Sequence, residues 1–313
     1  MKYCFGVDIG GTTVKLGLFE STGEILDKWE IVTRKENEAE AVLPDIARSI
    51  QEKLEEREIP MAQVIGVGVG VPAPVTADGV VNGSANIGWG YKEVKRELEE
   101  LTGLLVQVAN DANVAALGEM WKGGGAGEKN LVMITLGTGV GGGIIVDGRI
   151  LIGTHGAGGE IGHFCVNPHE TDLCGCGRKG CLEQYASATG IVRLAKKKLQ
   201  NETRATVLRA ETVTAKDVFD AVKAGDVVAM EIAEVFGRYL GHGLANVTTL
   251  IDPAVIVIGG GVSKAGEVLI PYIQKPFLER AFFANKEVRF ELATLGNDAG
   301  ICGSAKLILD VAL

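Results

Sequence analysis

The sequence predicts an α/β protein with two domains, and three observations support this prediction. Short apolar strands alternate with amphipathic helices along the chain, as they do in α/β folds. A strand, a glycine turn and a second strand occur twice, around residues 10–12 and again around residues 137–139. The chain has 313 residues, of which 46% are hydrophobic and 23% charged, enough for more than one core. We interpret the repeated pattern as an internal duplication, with one copy in each domain.

The N-terminal part is predicted to begin as a three-stranded meander, because turn-forming residues separate three short apolar runs. Apolar residues at helical spacing then predict one long amphipathic helix over Glu36–Arg57. The predicted strands are Tyr3–Ile9, Val14–Phe19, Glu24–Val32, Val64–Val71 and Leu105–Val108, and the predicted helices are Glu36–Arg57, Tyr91–Leu101 and Ala112–Trp121.

After Gly123–Gly127, which we interpret as a link between domains, the pattern starts again. Residues 163–181 have many turn formers and little periodicity, so they predict an irregular loop. Thr214 and Asp217 have the spacing of a capping box at the start of a helix. The predicted strands are Leu131–Leu136, Gly142–Val146, Val255–Ile258 and Val288–Leu292, and the predicted helices are Leu182–Leu199, Ala215–Lys223, Val227–Leu250, one from about Gly266, and Asp298–Leu309.

The charge and the length of the apolar runs argue against nucleic acid and membranes as partners. The formal net charge is −9, which disfavours broad contact with polyanions. The first residues, MKYCFGVDIGG, lack the basic and apolar regions of a signal peptide. Every apolar run is interrupted well before the roughly 18 residues that a membrane span needs. We therefore expect a cytoplasmic protein.

The two glycine turns are candidate phosphate-binding sites. Glycine lets backbone N–H groups converge on an anion, and threonine adds a hydroxyl donor. Two such turns could hold the phosphates of a nucleotide, with Mg²⁺ held by Asp8 through water and with Lys15 as a further phosphate contact. Two ordinary β-hairpins are the alternative. The candidate residues are Asp8, Gly10, Gly11, Thr12, Lys15, Gly137, Thr138 and Gly139.

Two other glycine motifs need separate interpretation. Residues 137–142 match G-x-G-x-x-G, but a strand follows them where a dinucleotide-binding fold requires a helix, so the match is accidental. Gly259, Gly260 and Gly261 end a strand and precede a helix, which suits close approach to an adenosine. A plain strand-to-helix turn is the alternative.

The predicted loop contains a candidate zinc site formed by His163, Cys174, Cys176 and Cys181. Three thiolates and one imidazole are a common closed tetrahedral zinc set. A disulfide within C-x-C would form a strained ring and leave a third cysteine unpaired. The other three cysteines are predicted to be buried thiols, and the nearby histidines, which lie off the spacing, to be surface residues. These are Cys4, Cys165 and Cys302, and His155 and His169.

Polar residues around this loop and after one strand are candidate sugar ligands. Asn110 and Asp111 follow a strand and open a helix, a position that suits a ligand site but also an ordinary helix N-cap. Glu160 and Glu183 flank the candidate zinc ligands, and carboxylates bind vicinal hydroxyls in bidentate fashion. A zinc-folded loop would bring Glu160, His163 and Glu183 to one place.

At this point the motifs match a known family. The chain resembles the ROK family of repressors, open reading frames and kinases, and among its members the bacterial glucokinases. The cysteine motif with its upstream histidine is the most specific part of the match. The matching segments are Asp8–Thr12, Asn110–Asn113, Leu136–Gly143, Gly159–His163, Cys174–Glu183 and Gly259–Val262.

The resemblance implies an actin-like (ribonuclease H-like) two-lobed ATPase and sugar kinase fold with a zinc-stabilised loop. Residues 1–122 and 298–313 would form the small lobe and residues 123–297 the larger one, with ATP in the cleft. Asp111 would be the base that accepts the proton of the sugar 6-hydroxyl. A homodimer or larger homo-oligomer is implied as well. The implied sugar ligands are Asn110, Asp111, Glu160, His163 and Glu183.

Three other functions compete with an ATP-dependent kinase that makes glucose 6-phosphate. A kinase for fructose, mannose, N-acetylmannosamine or N-acetylglucosamine would differ by a single contact to the sugar. A sugar-sensing repressor would need a DNA-binding segment before Asp8, where we count seven residues in an acidic chain. A non-catalytic sugar-binding protein would not need two phosphate turns.

Overall fold

The computed structural model describes residues 2–312 and contains ten β-strands in two sheets. The strands are β1 Tyr3–Ile9, β2 Thr13–Glu20, β3 Ile25–Val32, β4 Val64–Val71, β5 Val106–Asn110, β6 Leu131–Leu136, β7 Val140–Val146, β8 Arg149–Ile150, β9 Val255–Gly259 and β10 Arg289–Leu292.

The two sheets have the same strand order, as an internal duplication requires. The first sheet runs β3-β2-β1-β4-β5 and the second runs β8-β7-β6-β9-β10. In the first sheet β1 is antiparallel to β2 and parallel to β4. In the second, β6 and β9 are parallel, and β7 pairs antiparallel with β8. Because parallel strands need crossover connections, helices lie between β4 and β5 and between β6 and β9 in the chain, and the fold is α/β as predicted.

Ten α-helical segments accompany the sheets in the described part of the chain, and none of them is both long and apolar enough to cross a bilayer. They are α1 Glu36–Ala39, α2 Val42–Glu56, α3 Val94–Thr102, α4 Asp111–Lys122, α5 Glu183–Ala186, α6 Ala188–Leu199, α7 Ala215–Lys223, α8 Val227–Ile251, α9 Leu269–Arg280 and α10 Ala299–Ala312. The capping box of α7 is formed as predicted, since Thr214 and Asp217 bond to each other's backbone N–H.

The long helix predicted at Glu36–Arg57 is interrupted, so that prediction was wrong at its start. Asn37, Glu38 and Ala39 have φ angles of 51°, 57° and 55°. Because a right-handed helix requires negative φ, these three residues form only a local turn, and the regular helix begins at Val42. Helical spacing of apolar residues did not reveal this change of backbone handedness.

The helix predicted at Leu182–Leu199 is also divided, into α5 and α6. Ser187 lies between them with an extended backbone, φ −73° and ψ 166°. Its hydroxyl accepts the backbone N–H of Gly190 at 2.9 Å and so caps α6. The helix predicted from about Gly266 begins at Leu269, because Gly266 has a φ of 83°.

The described chain forms two compact units. The first contains residues up to Gly127, Gly143–Gly159 and the residues from Thr294 onward, and the second contains Glu128–Gly142 and Glu160–Ala293. In the second unit α8 packs against α7 and α9.

In the first unit α10 packs against α4 and against strands β1 and β4. The approach is close, because a Cβ atom on Gly303 would lie 1.6 Å from the carbonyl oxygen of Val114, and one on Gly68 would lie 1.7 Å from that of Ser304. The Ser304 hydroxyl donates to the Val7 carbonyl at 2.9 Å. Glycine on both elements therefore allows a helix to lie directly on the sheet.

Candidate active site and metal cluster

The first glycine turn joins β1 to β2, and its carbonyl oxygens are held by one residue. The Thr33 hydroxyl donates to the carbonyl of Gly10 at 2.7 Å, and the Thr33 backbone N–H donates to the carbonyl of Thr12 at 2.9 Å. Thr33 is 6% exposed, whereas Thr12 is exposed. The carbonyl side of the turn is therefore fixed from within the first unit.

Asp8 lies near the end of β1, directly opposite Lys15 on β2. A Cβ atom on Gly300 would lie 2.4 Å from Oδ2 of Asp8, so the carboxylate sits against the first turn of α10. Burial raises the pKa of Asp8 above its ordinary value, and the charge of Lys15 acts in the opposite direction. A carboxylate in this setting gains stability from a bound cation. The residues present therefore fit Mg²⁺, which prefers oxygen ligands.

Asn110 and Asp111 occupy the junction between β5 and α4, and the Asn110 side chain is engaged locally. Its Oδ1 accepts the backbone N–H of Ala112 at 2.9 Å and that of Asn113 at 3.2 Å, as an N-cap does. Its Nδ2 donates to the Ala73 carbonyl at 3.2 Å. Asp111 is half-buried and accepts the Ala112 N–H at 2.8 Å through Oδ1. The N-cap alternative for Asn110 is thus realised, and it also fixes where Asp111 begins the helix.

The second glycine turn joins β6 to β7 and is bonded on its carbonyl side to the α5–α6 junction. The backbone N–H of Ala188 donates to the Gly137 carbonyl at 2.8 Å, and the Thr189 hydroxyl donates to the Thr138 carbonyl at 2.7 Å. Within the turn, the Gly137 N–H donates to the Gly139 carbonyl at 3.0 Å. Sequence analysis did not identify Thr189, since nothing in the sequence relates it to a turn about 50 residues away.

The carboxylate of Glu183 lies between this turn and the cysteine motif. Its Oε2 accepts the backbone N–H of Val140 at 3.0 Å, and its Oε1 lies 3.5 Å from Sγ of Cys174. Sγ of Cys174 is in turn 3.8 Å from Nδ1 of His163, so Glu183 and His163 are brought close together. Glu160 is exposed and precedes the short turn that contains His163. The backbone N–H of His163 donates to the Glu160 carbonyl at 3.1 Å.

The four predicted zinc ligands converge on one point. One nitrogen of His163 and the Sγ atoms of Cys174, Cys176 and Cys181 all lie within 4.8 Å of one another, and Cys176 and Cys181 are 3.6 Å apart at sulfur. Tetrahedral zinc with bonds of about 2.3 Å to sulfur places its ligand atoms about 3.8 Å apart. A disulfide would require about 2.05 Å between sulfurs, and all six cysteines are free. The geometry therefore fits zinc.

The ionisation of the three thiols is consistent with a site that a cation completes. Burial raises the pKa of Cys181 to about 12 and also raises that of Cys174, whereas a backbone hydrogen bond from Arg178 lowers the pKa of Cys176 to about 6. A bound divalent cation removes the proton from a coordinating thiol and offsets the cost of burial. Two thiols that are buried here therefore have a chemical reason to bind metal.

The cysteines outside this set were predicted to be buried, and the prediction was wrong for one of them. Cys4 and Cys302 are buried in the first unit, but Cys165 is exposed. Cys165 lies in the irregular loop, where its backbone pairs with that of Cys181 as a single antiparallel β-bridge. Its apolar neighbours in sequence therefore do not cover its side chain. His155 and His169 are exposed, as predicted.

A polar cluster that the sequence did not predict ties the loop to α5 and α6. The Tyr185 hydroxyl donates to the carboxylate of Glu170 and accepts from Nδ2 of Asn167 at 2.8 Å. Arg193 pairs with Glu170 and, at 2.8 Å, with Asp172. Burial acts to raise the pKa of Glu170, but the hydrogen bonds from Tyr185 and Arg193 outweigh it and lower the pKa to about 2.

Gly259–Gly261 ends β9 beside a pocket of about 360 Å³ that lies within the second unit. Gly260 has a φ of 85°, and a Cβ atom there would lie 2.5 Å from the backbone nitrogen of Leu136, so the position requires glycine. The pocket wall is mostly apolar and includes two lysines. Its lining residues are Ala188, Thr214, Ala215, Lys216, Phe219, Asp220, Gly261, Val262, Lys264 and Ala265.

Known proteins resemble this chain over nearly its whole length. The chain is 44% identical over 313 residues to a glucokinase of Halalkalibacterium halodurans, covering 98% of this chain and 95% of that one. A solved ROK family glucokinase of Streptomyces griseus, in complex with glucose and AMPPNP, is 34% identical with a TM-score of 0.75, over 97% of this chain and 98% of that one.

The same fold occurs in a protein that is not described as a kinase. A solved ROK family transcriptional regulator, a homologue of the E. coli MLC protein, has a TM-score of 0.85 and 28% identity, over 99% of this chain and 78% of that chain. Fold similarity therefore does not by itself decide between catalysis and regulation. The model of the ROK family matches residues 4–311, and the chain belongs to the ROK family.

Proposed function

We propose that the protein is an ATP-dependent glucokinase that transfers the γ-phosphoryl group of ATP to the 6-hydroxyl of glucose. The observation that carries the proposal is the full-length match at 44% identity to a protein named as a glucokinase. The solved relative that binds glucose and AMPPNP supports the same pair of substrates. Hexokinase-type phosphotransfer also gives a use to both glycine turns, which a simple sugar-binding protein would not need.

The phosphoryl donor is proposed to bind through the two turns and the pocket beside β9. Turns whose backbone N–H groups converge can hold phosphates, and an apolar pocket can take the base. Magnesium would be held by Asp8 through water and, when bound, would neutralise phosphate charge. The residues assigned to the nucleotide are Asp8, Gly10, Gly11, Thr12, Lys15, Gly137, Thr138, Gly139, Gly259, Gly260 and Gly261.

Glucose is proposed to bind through Asn110, Asp111, Glu160, His163 and Glu183. The Nδ1 atom of His163 faces Cys174 at 3.8 Å, which leaves Nε2 for a sugar hydroxyl when zinc is bound. The Asn110 side chain already caps α4, so its contribution is to set the position of the helix start. Glu183 is half-buried and can accept from hydroxyls in addition to the backbone N–H that it holds.

Asp111 is proposed as the general base. Asp111 is the first residue of α4, where the N-terminal N–H groups of a helix favour negative charge. It can orient the 6-hydroxyl and accept its proton as the phosphoryl group is transferred. Phosphoryl transfer needs positioning and charge neutralisation more than covalent chemistry, so one well-placed carboxylate is sufficient for the acceptor.

The cellular setting is proposed from the substrates and the thiols. ATP is the donor and all six cysteines are free, which suits the reducing cytoplasm. A homodimer or larger homo-oligomer is proposed from the family resemblance.

The proposal is tested by ADP formation from Mg·ATP with the purified zinc-replete protein. The acceptors are glucose, fructose, mannose, N-acetylmannosamine and N-acetylglucosamine at equal concentration. We expect glucose to give the highest kcat/KM. A preference for another sugar would replace only the substrate, whereas sugar binding without ADP formation would contradict a kinase.

A further inference from the structure

The two glycine turns share a feature that neither their sequences nor the proposed function explains. In each turn, one threonine hydroxyl and one backbone N–H bind two carbonyl oxygens. Thr33 supplies both donors to the first turn, and Ala188 and Thr189 supply them to the second. Thr33 follows β3, whereas Ala188 and Thr189 lie in the first turn of α6, so two unrelated elements supply the same two kinds of donor.

A hydrogen bond to a carbonyl oxygen also fixes the direction of the N–H group in the same peptide unit. The C=O and N–H of a trans peptide point in opposite directions. Bonds to the carbonyls of Gly137 and Thr138 therefore turn the N–H groups of Thr138 and Gly139 away from α6. Bonds to the carbonyls of Gly10 and Thr12 likewise turn those of Gly11 and Thr13 away from Thr33. Three of these N–H groups, those of Gly11, Thr138 and Gly139, belong to residues assigned to the nucleotide, whose phosphates backbone N–H groups can bind.

The hydroxyl proton of Thr189 has a defined direction. Its Oγ1 lies 2.7 Å from the Thr138 carbonyl and 2.9 Å from Oγ of Ser187. A carbonyl cannot donate, so the Thr189 proton must serve the bond to Thr138. By the same argument the Ser187 hydroxyl donates to the Glu183 carbonyl at 2.7 Å, so both hydroxyl protons are used on backbone carbonyls.

The same helix start is part of the pocket assigned to the base. Ala188 lines that pocket together with Phe219 and Val262. Its backbone N–H is the donor to Gly137. One residue thus contacts both the glycine turn and the pocket, and a displacement of the α5–α6 junction would change both at once.

We propose that Thr33 and Thr189 are positioning residues for the phosphoryl donor: each fixes the carbonyl side of one glycine turn so that the turn's N–H groups face the phosphates. Neither threonine is assigned a contact with nucleotide. The inference rests on the proposed nucleotide site, and it adds the two side chains that hold this site in shape.

The test compares Thr189→Val with Thr189→Ser. Valine has nearly the shape of threonine but no hydroxyl, so the turn loses one neutral hydrogen bond. We expect the Kd of AMPPNP, measured by calorimetry with Mg²⁺, to rise roughly three- to tenfold in Thr189→Val. The KM for glucose should stay within about twofold, and Thr189→Ser should restore the Kd. A Kd within twofold of the wild-type value in Thr189→Val overturns the inference.

Two further variants keep the test decisive. Thr249→Val is the matched control, because the Thr249 hydroxyl also donates to a backbone carbonyl, that of Ala245 at 2.9 Å, but within α8. It should leave the Kd unchanged, and an equal rise there would contradict a specific role for Thr189. If Thr189→Val does not fold, Thr33→Val measures the same effect on the first turn.

Failure of this inference can be distinguished from failure of the proposed function. A wild-type protein that binds AMPPNP but phosphorylates no hexose would contradict the kinase assignment, while the comparison of Kd values would still decide the role of Thr189. A wild-type protein that phosphorylates glucose, together with an unchanged Kd for AMPPNP in Thr189→Val, would contradict only this inference.

Discussion

Asn110 and Asp111, at the start of α4, have different roles in the structure, and the sequence alone could not tell which residue has which role. Asn110 and Asp111 are both polar, and either could cap a helix or bind a ligand. In the structure Asn110 is the cap, with two backbone N–H groups bound to its Oδ1. Asp111 is the first helical residue and is half-buried. This division leaves Asp111 as the candidate for chemistry and makes Asn110 the residue that places it.

Asp111→Asn should lower kcat for glucose phosphorylation by about 10²–10⁴-fold, because the amide cannot accept the hydroxyl proton. Binding of glucose should be retained, since the amide is similar in size. Steady-state kinetics and glucose calorimetry check both parts. Asp147→Asn, at the exposed β7–β8 turn, is the control and should leave kcat unchanged. Near-normal turnover in Asp111→Asn would exclude it as the base.

At the scale of elements, the contact between α4 and α10 depends on glycine more than on apolar pattern. Cβ atoms at Gly118 and Gly303 would lie 2.3 Å and 1.6 Å from backbone oxygens of the other helix. The apolar periodicity predicted both helices, since it needs only local spacing. It could not predict their partner, because close approach is a property of two segments about 190 residues apart.

Gly303→Ala should therefore destabilise the protein by about 3 kcal/mol or more, since the added methyl meets the backbone oxygen of Val114 and the helices must separate. Helix propensity alone would predict a gain of about 1 kcal/mol. Urea unfolding measures the difference. Gly90→Ala is the control, because Gly90 is exposed and open space surrounds its Cβ position, and its stability should change little. Unchanged or increased stability of Gly303→Ala would contradict the close packing.

The interrupted helices show where element prediction fails. Ser187 lies within an apolar helical pattern, yet it takes an extended backbone and starts a new helix. Serine is a good N-cap, so a signal was present, but the periodic pattern on either side outweighed it. The break matters for the proposed nucleotide site, because it is the α5–α6 junction that contacts the second glycine turn.

At the scale of the whole molecule, the loop at residues 163–181 has few regular hydrogen bonds and depends on other restraints. The Cys₃His cluster joins its two ends, and Glu170 in its middle is held by Tyr185 and Arg193. A structural metal supplies folding free energy that such a loop cannot obtain from a ladder of backbone bonds.

Cys176→Ser should therefore lose bound zinc and lower the Tm by roughly 5 °C or more, because the loop loses a restraint that acts only in the folded state. Metal content by mass spectrometry and a thermal melt measure the two effects. Cys165→Ser is the matched control, since Cys165 is an exposed thiol in the same loop outside the ligand set. It should keep one zinc per chain, and equal metal loss in both variants would contradict the assigned ligands.

The sequence by itself determined the features that depend on local spacing. These are the alternation of strands and helices, the duplicated glycine turns, the capping box of α7 and the identity of the four clustered candidate metal ligands. Each is readable because backbone geometry links residues a few positions apart.

Only the tertiary structure decided which distant groups meet. It placed Thr189 on the carbonyl of Thr138, Glu183 between Val140 and Cys174, and Cys165 at the surface. Such contacts join segments separated by tens of residues, and a side chain's type does not specify its distant partner. The sequence therefore identifies the groups that could bind phosphate and sugar, whereas the folded chain decides how they are held in place.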